Sequence, residues 1–134
     1  MKYICYFILV VILVLGILFV SGCVQQSKTI KLDFNSGPCD ESVNVYNQSE
    51  LGIKRVTWLD NNTLLVEVYI RLVCACENVT KGDYEINGTK IVLKYKVDAV
   101  SDVCATCMCV HKLDYKFTNL EKKDYQFELE QIMG

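Results

Sequence analysis

The chain has 134 residues, 51% of them apolar, with 14 basic and 16 acidic side chains and a formal net charge of −2. Residues 1–22 hold a disproportionate share of the apolar content, and without them the fraction falls to roughly 45%, ordinary for a globular domain. A remainder of this size builds a single core, which excludes a two-domain enzyme with a cleft between lobes; its charge of about −3 excludes an electrostatic footprint for nucleic acid.

Lys2 precedes an 18-residue run, Tyr3 to Val20, in which only Gly16 falls outside the apolar class. Charge, apolar run and then the small pair Ser21 and Gly22 follow the order of a secretory signal. The run also meets the lower limit for a transmembrane helix, since about 20 residues at 1.5 Å rise cross a hydrocarbon layer of about 30 Å. The tetrapeptide Val20-Ser21-Gly22-Cys23 resembles the lipobox of prokaryotic lipoproteins, in which an aliphatic residue and two small residues precede a cysteine that is lipidated and becomes the new N-terminus. The resemblance implies a signal peptide at 1–22, acylation of Cys23 and a lipid anchor in the cell membrane. An uncleaved helix with Cys23 as an ordinary thiol is the alternative. Both readings tether the protein to a membrane, and Lys2 with the α-amino group favours a cytoplasmic N-terminus, so the domain faces outward. Residues 23–28 form a short tether before a domain at 29–134.

Beyond residue 28 the apolar period is two, the signature of strands, and no stretch sustains the i, i+3, i+4 stripe of a helix. In chain order the expected strands are Thr29 to Phe34, Val43 to Tyr46, Ile53 to Leu59, Leu64 to Cys76, Tyr84 to Ile86, Lys90 to Val97, Cys107 to Phe117 and Tyr125 to Leu129. Asp60-Asn61-Asn62 reads as one hairpin connection and Asn87-Gly88, tolerant of positive φ, as another. The thirteen residues from Leu64 to Cys76 would span about 43 Å if fully extended, which demands a bulge or bend. About seven short strands spaced by turns predict an all-β fold, a β-sandwich. Leu120 to Tyr125, entering a strand after a polar turn, resembles the tyrosine corner of immunoglobulin-like domains, and Trp58 is suited to such a core. By that resemblance the domain is an immunoglobulin-like β-sandwich of the kind borne by small prokaryotic, archaeal-style lipoproteins; fold analogy carries no function.

Four sequons, at Asn47, Asn61, Asn78 and Asn87, exceed the roughly one that chance provides and are candidate glycosylation sites. Asparagine in turns followed by threonine at strand starts produces the same pattern without a glycan.

The specific chemistry lies in the cysteines. With Cys5 in the leader and Cys23 in the lipobox set aside, Cys39, Cys74, Cys76, Cys104, Cys107 and Cys109 remain, an even number that reads as a disulfide framework in an exported domain. Period two places Cys74 with Cys76 on one strand face and Cys107 with Cys109 on another, so bonds between strands fit better than bonds within either Cys-x-Cys. On this reading Cys74 and Cys76 pair with members of the Cys104, Cys107, Cys109 cluster and Cys39 joins whichever remains. The same thiolates with His111, the only histidine, are also suited to Zn²⁺ or Cu(I), and Cys104-x-x-Cys107 resembles a redox pair. His111 on an inward face is more simply a packed, hydrogen-bonded residue. No nucleophile elbow, zinc-protease motif or phosphate loop is present, so enzyme function is not expected. No cofactor, small-molecule substrate or nucleic acid is called for. The partners expected are the membrane, through the anchor, and a protein of the cell surface.

Overall fold

A computed structural model describes residues 28–74, 76–101 and 107–132. The leader, the lipobox with Cys23, most of the tether, and Cys104 lie outside the described residues. Seven strands are formed: β1 (Lys31–Asp40), β2 (Gly52–Trp58), β3 (Thr63–Val73), β4 (Glu77–Asn87), β5 (Lys90–Ala99), β6 (Met108–Thr118) and β7 (Gln126–Ile132). They make a four-stranded sheet in the order β1-β6-β3-β2 and a three-stranded sheet in the order β4-β5-β7. Every pairing is antiparallel except β5 with β7, which is parallel.

Alternation along β3 explains the core. Leu64, Val66, Val68, Ile70 and Leu72 all face inward and are buried, and their cross-strand partners on β6 are Phe117, Tyr115, Leu113, His111 and Cys109. Directly opposed apolar side chains on one face of an antiparallel pair stabilise the register, because a slip of one residue would expose the whole row. Ile91 and Leu93 of β5, with Val79 of β4, close over this row from the second sheet. Across the gap the ring of Tyr84 meets Phe117 edge to face, with centroids 5.1 Å apart and planes at 89°. The two layers are therefore a β-sandwich.

The lateral side between β1 and β4 is sealed by an aromatic ring and a glycine. Phe34 packs edge-on against Tyr115 at 4.9 Å. Its ring occupies the space that a Cβ at Gly82 would need. Glycine at that point of β4 lets the two sheets approach at the edge.

Immunoglobulin constant domains set strands A, B, E, D against C, F, G, which in chain order is 1-2-5-4 against 3-6-7. Here the order is 1-6-3-2 against 4-5-7. The likeness to that class is one of layers and not of strand order. The Tyr125 hydroxyl donates to the carbonyl of Glu121, four residues upstream, at 3.0 Å.

Several boundaries differ from the sequence expectation. Val43 to Tyr46 is not a strand but a series of turns. The Asp40 and Asn44 side chains accept hydrogen bonds from the backbone N–H of Ser42 and Tyr46 respectively, at 2.9 and 3.0 Å, which holds the chain in successive turns. The expected strand Leu64 to Cys76 stops at Val73; Cys74 and Cys76 are turn residues, and the Cys76 N–H donates to the Val73 carbonyl at 3.4 Å before β4 begins at Glu77. The Glu77 carboxylate fixes this turn by accepting from the Val73 N–H at 2.8 Å. Cys74 and Cys76 are consequently not successive inward residues of one strand. The second hairpin turns on Gly88 and Thr89, between the paired residues Asn87 and Lys90, and Gly88 takes φ of 63°.

Candidate functional site

The described cysteines, Cys39, Cys74, Cys76, Cys107 and Cys109, gather at one end of the four-stranded sheet. β1 is irregular between Ser36 and Cys39, and past that shift Cys39 lies opposite His111 while Asp40 lies opposite Val110. The shift brings Cys39 beside Cys109, and the two form a disulfide with Cα atoms 5.6 Å apart, joining positions 70 residues apart in sequence. Cys109 is buried, so the bond clips β1 to β6 at the rim of the core. His111 sits next to this clip. Its Nδ1 lies 3.1 Å from the Gly37 carbonyl, and since a carbonyl only accepts, Nδ1 carries the proton. The imidazole thus helps to hold the irregular segment of β1.

Cys76 is also disulfide-bonded and is buried, at 2% exposure. Its carbonyl accepts from the Val100 N–H at 2.7 Å, tying the turn to the end of β5.

Cys74 and Cys107 differ from the others. Both are free thiols, Cys74 half-buried and Cys107 exposed. They extend the β3 and β6 register by one step beyond Val73 and Met108, and the Cys74 N–H donates to the Cys107 carbonyl at 3.0 Å. Their side chains are hydrogen-bonded to each other, which pushes the Cys74 thiol up from its ordinary value; burial and neighbouring charge from Cys107 and Glu41 act in the same direction. Glu41 was not singled out by the sequence, because a carboxylate in a turn carries no signal of what the fold brings near it.

Among the described residues, no group of three or more His, Cys, Asp or Glu side chains is arranged to hold a metal ion. The zinc or copper set drawn from the sequence includes Cys104, outside these residues, together with cysteines that are here divided between disulfides and the thiol pair.

The sequon asparagines Asn47, Asn61, Asn78 and Asn87 are all exposed. Asn47 caps a short 3₁₀ turn, Gln48–Glu50, and its Oδ1 accepts from the Ser49 hydroxyl at 2.8 Å. The Thr80 hydroxyl of the Asn78 sequon donates to Asp98 at 2.7 Å.

At the far end of the sandwich, the edges of β2 and β7 leave a shallow groove between the sheets. Val56, Trp58, Tyr125 and Phe127 line it, with Lys123 and Asp124 at its rim. Val56 and neighbouring Leu59 are exposed, and the Trp58 and Tyr125 rings stand 6.4 Å apart. Trp58 is only partly buried against the core, so it lines an edge instead of filling the centre.

No protein-family model, curated protein or solved structure matches this chain.

Proposed function

We propose that the protein is a membrane-anchored, outward-facing lipoprotein whose β-sandwich serves as a structural or interaction module of the cell surface. The observation that carries this reading is the Cys39–Cys109 disulfide built into the strand register. Such bonds form and persist in oxidising compartments and are rare in the cytosol. The apolar leader and the Val20-Ser21-Gly22-Cys23 motif supply a route to that compartment and an attachment once there. Exposure of all four sequon asparagines is compatible with glycosylation outside the cell. The interaction role is supported by the groove between β2 and β7, where apolar side chains remain open at a sheet edge. The immunoglobulin-like description is proposed at the level of layered architecture, which many cell-surface domains share without sharing strand order.

Mass analysis of the N-terminus of membrane-extracted protein tests the anchor, and protease added to intact cells tests the side. An acylated Cys23 as first residue and a domain cleaved from outside are expected. An intact Met1 replaces the lipoprotein by the anchored-helix version. A folded domain shielded from added protease overturns the location.

A further inference from the structure

We infer that Cys74 and Cys107 form a dithiol that exchanges with disulfides of other thiol compounds or polypeptides, Cys107 attacking and Cys74 resolving. Three observations lead to this. The residues are direct partners at the end of an antiparallel ladder, with the Cys74 N–H on the Cys107 carbonyl at 3.0 Å. Such partners have Cα atoms about 4.5–5.5 Å apart, within the range of about 4.4–6.8 Å that a disulfide spans. Both are thiols while Cys39, Cys109 and Cys76 are oxidised, so among the described cysteines this pair is the one left open to oxidation. Finally, Cys107 is exposed and Cys74 half-buried, which gives an incoming disulfide access to one sulfur first.

The exchange balances as follows. The Cys107 thiol gives its proton to water, and the thiolate attacks one sulfur of a disulfide. A Cys107 mixed disulfide forms as the original S–S bond breaks, and the leaving thiolate takes up a proton. Cys74, in contact with Cys107, then loses its proton and attacks the Cys107 sulfur. The second leaving thiolate departs and is protonated. The pair has lost two electrons and two protons, and the partner disulfide has become two thiols. In reverse, the closed pair oxidises a dithiol. A bridge exposed at a strand end belongs to the labile kind, whereas Cys39–Cys109, with Cys109 buried, belongs to the structural kind.

The supply of partner disulfides rests on the outward-facing reading; the chemistry of the pair does not. The full-length protein in detergent is titrated with glutathione disulfide across a series of reduced-to-oxidised glutathione ratios, quenched in acid, alkylated and mapped by peptide mass. The expected result is a Cys74–Cys107 bridge that forms and opens reversibly while Cys39–Cys109 stays closed. Cys74→Ser should accumulate a glutathione adduct on Cys107, and Cys107→Ser should slow consumption of glutathione disulfide at least about tenfold. If a variant fails to fold, as seen by circular dichroism, the wild-type titration decides alone. A pair that stays reduced at every ratio, a bridge that opens only together with Cys39–Cys109, or stoichiometric metal that shields both thiols from alkylation overturns the inference. A failed titration leaves the cell-surface reading standing, and a domain shielded from protease in cells leaves the titration result standing.

Discussion

The Tyr115 hydroxyl donates to the Lys94 carbonyl at 2.9 Å, a hydrogen bond that crosses from the four-stranded sheet to the middle strand of the other. It satisfies a polar group in the centre of the core and fixes one sheet over the other. Tyr115→Phe keeps the ring and removes the bond. The expected cost is about 1–2 kcal/mol, because the Lys94 carbonyl loses its partner. Chemical denaturation of both proteins, compared by midpoint at constant slope, checks it.

Burial pushes the Tyr115 hydroxyl far above the ordinary tyrosine range. Since the folded protein favours the neutral form more than the unfolded chain does, this contribution to stability is full below about pH 10 and is lost as pH rises further. A spectrophotometric titration should show Tyr115 ionising only together with unfolding. In the Tyr115→Phe variant the alkaline fall in stability should be shallower.

Gly82 and Phe34 should be coupled. Gly82→Ala places a methyl group where the Phe34 ring lies, so it should destabilise by about 1–3 kcal/mol. In a Phe34→Ala background the same change should be nearly free of that clash. A double-mutant cycle that returns simple additivity would show that the ring does not rest on the glycine.

Loss of the Cys39–Cys109 bond reopens a loop of 70 residues, which in the chain-entropy model costs about 4 kcal/mol. Cys39→Ser, Cys109→Ser and the double variant should lose similar amounts, since one bond is removed in each. Thermal denaturation under non-reducing conditions provides the comparison.

On the outer face of the three-stranded sheet, Lys94 lies between Glu85 of β4 at 2.8 Å and Glu130 of β7 at 3.9 Å. Its hydrogen bond to Glu85 holds the Lys94 ammonium above its usual range and the Glu85 carboxyl below its own. The Glu85 contribution is present above about pH 4.3 and fades as pH falls; the Lys94 contribution is present below about pH 10.4 and fades as pH rises. Both groups face water, so the effect should be small and disappear in high salt. Stability of Lys94→Gln against wild type, measured with and without added salt, tests this.

The alternation of β3 and β6 was legible in the sequence because each strand is buried on one face only, and Leu64 to Leu72 and Leu113 to Phe117 follow that rule without a break. For β1 the apolar alternation carries only as far as Phe34. The strand continues through Asn35, Ser36, Gly37 and Pro38, residues that signal a turn, because Pro38 falls at the irregular step where no ladder donor is required. Most of β4 was missed for a related reason. Lys81, Gly82 and Asp83 interrupt the pattern at its register shift, and Gly82 serves a ring from a strand 48 residues earlier, a demand that local sequence does not record. At the cysteine end, composition identified the residues and spacing did not divide them. The turn fixed by Glu77 separates Cys74 from Cys76, and the β1 irregularity delivers Cys39 to Cys109; both depend on tertiary placement.

The pairing of β1 with β6 has a mechanical consequence. Lys31 begins its strand opposite Thr118, the Asn119 side chain donates to the Thr29 carbonyl at 3.1 Å and the Tyr84 hydroxyl to the Ile30 carbonyl at 3.2 Å, so tension arriving along the chain from residue 28 enters the fold at the start of β1. Peeling β1 away proceeds only to Cys39, where a covalent link to Cys109 arrests it. At about 3.3 Å per residue, the segment from Lys31 to Pro38 releases roughly 26 Å of slack before the load passes to β6 at the heart of the sandwich. The domain is thus fitted with a short, bounded extension at the N-terminal edge of its four-stranded sheet.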